Sequence, residues 1–343
     1  MNLHIINPIE YPDWDELLLT NENTSFFHTS EWAKVLHGAY GYTPFYFATI
    51  EDNKLTTLIP MMEVKSMLTG KRGVSLPFTD NCEPIVMDQQ LFDMAIEQIR
   101  ECGRKKNWKH IEWRGGSDNF KKASSSLSFY SHDVKLNETE EKLFSSLKSS
   151  TRRNIKNAQS RGVEVSLNNT LDAVKQFFKL NCMTRKKHGL PPQPFIFFNK
   201  LFKDVISKKK GFVALAFSKK KAIAGAVFLH FNKKAVYKYG ASDEGYLNMR
   251  PNNLLMWEAI KHYAKESFSN FSFGITEMEN QGLLQFKRGW GATESLVNYY
   301  RYSLKNNEFI KDSFRAKTSY PIFKKMPSPV LNAIGYLLYR HIG

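Results

Sequence analysis

Hydrophobic residues along the chain switch between a helical spacing and a strand-like alternation, and the same order of patterns occurs twice. In each half, helical segments precede a run of strands, and a helix followed by one more strand closes the half. We predict helices at 26–37, 89–107, 171–187, 197–208 and 253–267, and strands at 42–50, 55–64, 74–77, 110–114 and 270–274 and from residues 212, 222 and 235. The halves show no obvious sequence identity, so the pattern predicts a structural repeat of one α/β unit.

The boundary between the two units is predicted in the serine-rich, polar stretch at 124–140. We therefore expect a first domain at 1–135, a second domain at 136–305 and a basic tail at 306–343. The second domain is expected to begin with one long helix that ends with Gly162 as its C′ residue.

The tail contains an amphipathic helix at 329–342, which a serine cap and Pro329 introduce. Its spacing places six apolar side chains on one helical face: Val330, Leu331, Ile334, Leu337, Leu338 and Ile342. Such a helix either lies in an anionic membrane interface or packs on its own domain.

Composition narrows the class of protein. The 343 residues include 49 Lys and Arg against 33 Asp and Glu, a net charge of +16, which favours polyanionic partners such as RNA, a phosphorylated lipid carrier or an anionic membrane. Cys82, Cys102 and Cys182 lie far apart without a CxxC pair, so we expect neither a zinc site nor a disulfide framework, and a reduced, cytosolic compartment. The N-terminal residues lack a signal-peptide pattern, and the longest apolar run, 222–231, is too short to span a bilayer.

The segment GLLQFKRGWGA, at 282–292, is the strongest candidate for chemistry. It follows a predicted strand that ends at Gly274, and ligands of α/β sheets bind beyond the carboxyl ends of strands. The segment resembles the last motif of the GNAT acyltransferase superfamily, with Asn280, Phe286 and the Gly289-Trp290 pair at matching positions. In that superfamily a tyrosine commonly acts as a general acid towards the thiolate of coenzyme A, and Lys287 occupies its position here. A lysine is better suited to holding phosphate or to stabilising an oxyanion.

The phosphate loop of the GNAT superfamily corresponds to residues 248–255. This stretch has no glycine, so the tight backbone cradle for a pyrophosphate is missing although a helix N-terminus remains. Donor-binding candidates are Asn280, Phe286, Arg288, Arg250 and Asn253.

The chain also resembles the FemABX family of aminoacyl-tRNA-dependent transferases over roughly residues 25–302. The resemblance rests on SFFHTSEWAKVL, TRRNIKNAQSRGVEV, RPNNLLMWEAI and FKRGWGA, and TRKKHGLPPQPFIFF is similar to the branch found beside exopolysaccharide genes. It implies two tandem GNAT-like domains with a cleft between them, and a role for Lys287 in handling the aminoacyl-tRNA end. The family's arginine-glycine-proline segment is replaced by SLPFTDNCEPIVMD, and no helical arm is inserted in the second domain.

Several residues are candidates for the acceptor side. Asp80 or Glu83 could take a proton from an acceptor amine, against the alternative that both are merely hydrated. Arg185 and His188 could bind an acceptor phosphate or carboxylate, or cap a helix. Further substrate-binding candidates are Trp32, Lys34, Tyr237 and Tyr239, of which Trp32 and the tyrosines could equally be core. Because Tyr237 and Tyr239 alternate with Lys238, we expect them to share one face of a strand.

The predicted function is therefore acyl or aminoacyl transfer to an amine of an anionic cell-envelope precursor, either peptidoglycan or exopolysaccharide. The expected location is the cytoplasm or the inner face of the membrane. The donor is an aminoacyl-tRNA or an acyl-CoA, and we expect no tightly bound cofactor and no metal. One alternative is an acetyl-CoA-dependent N-acetyltransferase that acts on an amino sugar. Another is a non-catalytic GNAT-fold module that binds an anionic precursor or RNA.

Overall fold

The structure is a computed structural model, which describes residues 3–121, 123–311 and 320–343. Its strands are β1 His4–Ile6, β2 Thr43–Glu51, β3 Lys54–Ser66, β4 Gly70–Val74, β5 His110–Arg114, β6 Leu127–Lys135, β7 Glu164–Asn168, β8 Gly211–Ser218, β9 Lys221–Phe231, β10 Lys234–Ser242, β11 Asn270–Glu277, β12 Thr293–Ser303 and β13 Glu308–Phe309. Its helices are α1 Trp14–Leu18, α2 Ser30–Tyr40, α3 Gln89–Lys105, α4 Glu140–Ser146, α5 Ser149–Ser160, α6 Leu171–Lys187, α7 Phe195–Asp204, α8 Pro251–Lys265, α9 Gln281–Arg288, α10 Pro321–Lys325 and α11 Ser328–Ile342.

The chain divides into two units. The first contains Met1–Phe129, Leu296–Arg315 and Leu337–Gly343, and the second contains Tyr130–Ser295 and Ala316–Tyr336. This division differs from the predicted boundaries at 135 and 305. The reason is that the carboxyl-terminal part of β12 pairs with β5, so it belongs to the first unit's sheet.

In the first unit, β1 to β4 form an antiparallel meander, and β4 then runs parallel to β5. Helix α3 buries Phe92, Ile96 and Ile99 in a core that also contains Ile111 and Trp113 of β5. Its amphipathic spacing and the Asp88 cap, which accepts the Leu91 N–H at 2.8 Å, explain why the helix begins where it does.

In the second unit, β7 to β10 are antiparallel neighbours, β10 runs parallel to β11, and β6 lies next to β11. Aromatic side chains dominate the core of this unit. Tyr263 of α8 stacks on Phe212 of β8 at 5.3 Å, and Trp290 packs on Phe273 of β11 at 5.8 Å. The element order of the first unit is thus repeated, as the sequence pattern predicted.

The predicted polar boundary contains a strand. Strand β6 crosses the stretch at 124–140. It buries polar side chains such as Ser131 and His132, and this polar composition is the reason that the sequence pattern predicted a boundary here. The predicted long helix is likewise two helices, α4 and α5. The helix is interrupted at Leu147, which has an extended backbone and a buried side chain, and the Lys148 N–H donates to the Gly289 carbonyl at 3.0 Å.

The prediction for Gly162 is confirmed. Gly162 has φ +70°, its N–H donates to the Gln159 carbonyl, and the Val163 N–H donates to the Ala158 carbonyl. These two bonds form a Schellman motif that ends α5.

The apolar face predicted for the C-terminal helix is split in the structure. Leu331 is 1% exposed and packs inside, whereas Leu337 and Ile342 are 62% and 59% exposed. Of the predicted basic tail, residues 312–319 lie outside the described residues. Within the described ranges, none of the helices is both long enough and apolar enough to cross a membrane.

Candidate active site

The parallel strands β10 and β11 pair over only three residues each. The register runs from Lys234 opposite Asn270 to Val236 opposite Ser272, although the strands continue to Ser242 and Glu277. Backbone N–H and C=O groups beyond that point must find partners other than a continuing β10–β11 ladder. The carboxyl ends of these two strands therefore form a place where a ligand or a side chain can engage the backbone.

A β-bulge at Lys238 lies just beyond the point where β10 stops pairing with β11. Tyr237 lies opposite Phe228 of β9, and Tyr239 lies opposite Val227, so one residue drops out of the alternation. The prediction that the two tyrosines share one face is therefore wrong. Tyr237 packs on Phe228, and burial raises its pKa to about 12, whereas the ring of Tyr239 packs on Phe198 of α7 on the opposite face.

Helix α9 carries Lys287 to the end of β11. Asn280 caps the helix, since its side chain accepts the Leu283 N–H at 3.2 Å. Lys287 is only 2% exposed, and its Nζ donates to the carbonyls of Gly274 at 2.8 Å and Ile275 at 3.0 Å. The ammonium group is thus held against the backbone of β11, just beyond its pairing with β10.

Packing and backbone conformation explain why glycine stands on both sides of Trp290. A Cβ at Gly289 would lie 2.5 Å from Thr151 Oγ1 of α5, so only glycine allows the two helices to approach there. Gly291 has φ +68°, a left-handed conformation that favours glycine. Phe286 packs edge-on against Trp290 at 5.8 Å, and Trp290 itself is fully buried. The conformation of the segment follows from this packing, which fixes the position of Lys287.

A charged network that the sequence analysis missed lies beside Lys287. Arg288 donates two hydrogen bonds to Glu294, at 2.7 and 2.9 Å, and Glu294 also contacts Nε2 of His132 at 2.9 Å. His132 is fully buried, and burial and the charge of Lys287 lower its pKa. His132 lies on strand β6, whose polar composition is typical of a linker, so no local sequence pattern indicates its role.

The first turn of α8 has few backbone donors to offer. Arg250 adopts φ +57° and is exposed, Pro251 has no N–H, and the Asn253 N–H donates to the Arg250 carbonyl at 3.1 Å. Asn253 itself is buried. The predicted donor-binding residues Arg250 and Asn253 therefore do not form a phosphate loop of the glycine-rich kind.

Comparison with known proteins supports a GNAT-type fold. Residues 145–288 match the family model of the acetyltransferase (GNAT) domain. The lipid II:glycine glycyltransferase of Staphylococcus epidermidis is 32% identical over 75 residues, which is 20% of this chain and 18% of that protein. The crystal structure of FemX superposes with a TM-score of 0.68 at 14% identity, covering 87% of this chain and 97% of that one. A tandem GNAT protein from the clavulanic acid biosynthesis pathway has a TM-score of 0.52 at 6% identity and covers 88% and 99%.

The chain has the fold of FemX. The predicted α/β fold of two GNAT-like domains is confirmed. The match spans less than a fifth of the glycyltransferase. The exopolysaccharide branch stays a prediction.

Arg185 and His188 lie near the end of β10. Thr184 Oγ1 accepts the Ser242 N–H at 3.1 Å, which fixes the end of α6 against β10. Arg185 Nε donates to the Pro191 carbonyl at 3.3 Å, and His188 is exposed, with its pKa lowered by desolvation and by the charges of Lys187 and Arg185. The structure thus places both residues at the carboxyl end of the strand that neighbours β11.

Asp80 and Glu83 lie in the first unit, in the loop that follows β4. The Asp80 carbonyl accepts the Tyr299 hydroxyl at 2.6 Å, and Glu83 Oε2 accepts the Gly116 N–H at 2.6 Å. The predicted strand at 74–77 ends instead at Val74, because Leu76 adopts φ +62°. Left-handed backbone at a leucine is costly, and such strain is concentrated at functional sites.

Trp32 is not placed to bind a substrate. It is fully buried, its Nε1 donates to Thr79 Oγ1 at 2.9 Å, and its ring packs on Phe27. Lys34 is half-buried on the same helix. The core alternative is therefore correct for Trp32, because its spacing on α2 directs it inward.

Strand β5 contributes an ion cluster that was not predicted. Glu112 accepts from Arg114 Nε at 2.8 Å and from Arg301 Nε at 2.6 Å. Burial alone would raise the pKa of Glu112, but the charges and hydrogen bonds of the two arginines lower it to about 2. The cluster could not be predicted from local sequence patterns, because Arg301 reaches this carboxylate through the pairing of β12 with β5.

Proposed function

We propose that the chain is an aminoacyltransferase of the FemAB type, which transfers an aminoacyl group to an amine of a peptidoglycan-type envelope precursor. Its fold and the name of the matched glycyltransferase support the reaction class. The observation that carries the choice of donor is the first turn of α8.

Coenzyme A would need backbone donors at that turn for its pyrophosphate. Pro251 supplies none, the Asn253 N–H is already bonded to Arg250, and no glycine lies between residues 248 and 255. An aminoacyl-tRNA presents its ester at the end of a long polyanion, which the net charge of +16 attracts over the whole surface. These features favour aminoacyl-tRNA over acyl-CoA as the donor.

In the proposed reaction, the acceptor amine attacks the ester carbonyl carbon. The new C–N bond forms, the bond to the ribose oxygen breaks, and the proton of the amine passes to that oxygen. Lys287 supplies positive charge at the end of β11 to stabilise the tetrahedral oxyanion, and its two carbonyl partners keep it in place. Positioning of the two substrates provides the rest of the catalysis.

The acceptor is an anionic precursor in this proposal. Arg185 and His188, at the end of β10, are our candidates for its phosphate or carboxylate groups. Asp80 and Glu83 remain candidates for a base that accepts the amine proton. We expect the protein to act in the cytoplasm or at the inner face of the membrane, where such precursors carry their free amines.

The test combines the full chain with two classes of donor. Aminoacyl-tRNAs charged with labelled glycine, alanine, serine or lysine are supplied one at a time with a nucleotide-linked or lipid-linked muropeptide, and the product amide is measured by mass spectrometry. Acetyl-CoA is supplied in parallel, with calorimetry for binding and a thiol reagent for released coenzyme A. We expect amide formation with at least one aminoacyl-tRNA and no release of coenzyme A. Tight binding and turnover of acetyl-CoA would refute the choice of donor.

A further inference from the structure

The turn between β3 and β4 exposes two large apolar side chains. Met67 is 98% exposed and Leu68 is 68% exposed, at the tip of a hairpin in the first unit. A tight turn needs no apolar residues for its own stability, and solubilising residues are the usual choice there. These two side chains are therefore candidates for contact with something outside the chain.

The end of α11 is fixed to this turn. His341 Nδ1 lies 3.1 Å from Ser66 Oγ, and Arg72 donates to the His341 carbonyl at 2.9 Å and to the Gly343 carbonyl at 2.5 Å. Arg72 is itself buried, so these bonds are shielded from water. The turn and the helix end therefore form one surface within the first unit.

The helix end adds two more exposed apolar residues to that surface. Leu337, which is 62% exposed, lies one helical turn before His341 and hence on the same side of the helix. Ile342, at 59% exposure, follows His341 directly. We call Met67, Leu68, Leu337 and Ile342 the tip patch.

Basic residues surround the tip patch. Lys71 and Arg340 are exposed, the Lys109 side chain lies against Gly70, and the Lys65 side chain is 61% exposed. Residues 64–73 and 328–343 contain no Asp or Glu at all. The nearby carboxylate of Glu63, which pairs with Lys65 at 3.2 Å, is buried and also accepts from Trp108.

We propose that the tip patch docks the protein on an anionic membrane surface. Exposed apolar side chains enter the interfacial layer, and a ring of lysine and arginine meets the negative headgroups. We favour a lipid surface over a protein partner because residues 64–73 and 328–343 supply lysine and arginine but no carboxylate. The inference extends the proposed function, because it places the enzyme where a lipid-linked acceptor resides. Vesicle binding requires neither donor nor acceptor, so its failure and the failure of transfer are separate results.

The test is sedimentation of the full chain with vesicles of phosphatidylcholine alone or with one third phosphatidylglycerol. We expect binding to the anionic vesicles only, weakened at least about tenfold by Met67→Ser with Leu68→Ser. Lys71→Gln with Arg340→Gln should weaken it by roughly 25-fold, about fivefold for each charge. Met87→Ser is the matched control, because Met87 is 68% exposed in the same unit but lies outside the tip patch, and it should bind like the unmodified chain.

Two results would overturn the proposal. The first is equal sedimentation with both kinds of vesicle, or anionic binding that the Met67→Ser, Leu68→Ser variant retains in full. The second is self-association, measured by analytical ultracentrifugation, that the same variant abolishes while vesicle binding is absent. That second result would make the tip patch an interface between copies of the chain. Circular dichroism and thermal unfolding of each variant exclude misfolding, which is not expected because all five replaced residues are exposed.

Discussion

Replacing Lys287 by methionine keeps most of the aliphatic stem and removes the ammonium group from the end of β11. The lost bonds are those from Nζ to the carbonyls of Gly274 and Ile275, at 2.8 and 3.0 Å, and the residue is 2% exposed. Hydrogen bonds to charged groups contribute about 1.5–3 kcal/mol each, and a buried carbonyl without a donor costs about 1–3 kcal/mol. The two ranges cannot be added, because both describe the same two carbonyls. Removing the ammonium group also relieves the cost of burying its charge. We therefore expect a net loss of about 2–4 kcal/mol.

Amide hydrogen exchange, measured by mass spectrometry on the peptide that covers α9, reports this loss locally. A change of about 2–4 kcal/mol in the free energy of opening corresponds to exchange that is roughly 30- to 900-fold faster. Lys265→Met, at an exposed lysine of α8, is the matched control and should leave the exchange of α9 unchanged. Exchange in Lys287→Met within about threefold of the unmodified chain would show that the two bonds do not hold α9 to β11.

The same variant tests the chemical role of the charge once its structural role is measured. Leu284→Ala, on the same helix at 1% exposure, is expected to cost about 2–5 kcal/mol without removing a charge. If the ammonium group stabilises the transition state, Lys287→Met loses far more transfer activity than Leu284→Ala at equal loosening of α9. Equal losses in the two variants would reduce Lys287 to a structural residue.

Three further predictions concern single positions. Gly289→Ala should destabilise the second unit by about 1–3 kcal/mol, since its Cβ would lie 2.5 Å from Thr151 Oγ1. Adding Thr151→Ala to the same chain should restore part of the lost stability, as measured by thermal unfolding. In the folded state the pKa of Glu112 is about 2, below its ordinary value of about 4.3, so its contribution to stability is complete above pH 5 and is lost as the pH falls towards 2. Glu112→Gln should therefore reduce the pH dependence of the free energy of unfolding, measured with urea over that range. An unchanged pH dependence would contradict the ion cluster. Lys287→Tyr alone should not bind acetyl-CoA in calorimetry, because in the first turn of α8 Pro251 would still supply no N–H and the Asn253 N–H would still be bonded to the Arg250 carbonyl.

Local patterns were sufficient wherever an element is amphipathic and capped. Helix α6 and strand β5 have the predicted bounds, because their apolar spacing and flanking polar residues are unambiguous. Strand β6 was missed for the opposite reason. It lies inside the sheet next to β11 and buries polar side chains such as His132, so its alternation carries no hydrophobic signal.

The candidate site was predictable only in part. The segment with Asn280, Lys287 and Gly289 could be found, because a cap, a buried aromatic and a sterically required glycine leave traces in the sequence. The opposite orientation of Tyr237 and Tyr239 could not, because a bulge is set by cross-strand register and not by local residue type. The network from Arg288 through Glu294 to His132 also depends on pairing between distant segments, which a single sequence does not display.

Two features of the chain differ from a coenzyme A site, and they lie on the helices that follow β10 and β11. Helix α8 follows β10 and offers few N–H groups at its start, since Pro251 has none and the Asn253 N–H is already bonded. Helix α9 follows β11 and carries Lys287 where the superfamily has a tyrosine. A coenzyme A enzyme of this superfamily commonly uses both features, one to hold the pyrophosphate and one to protonate the thiolate. The loss of either alone could be compensated by neighbouring side chains. Their joint loss at the ends of these two strands supports the proposed change of donor, in which a fixed positive charge at the end of β11 would serve an aminoacyl ester carried on a polyanion.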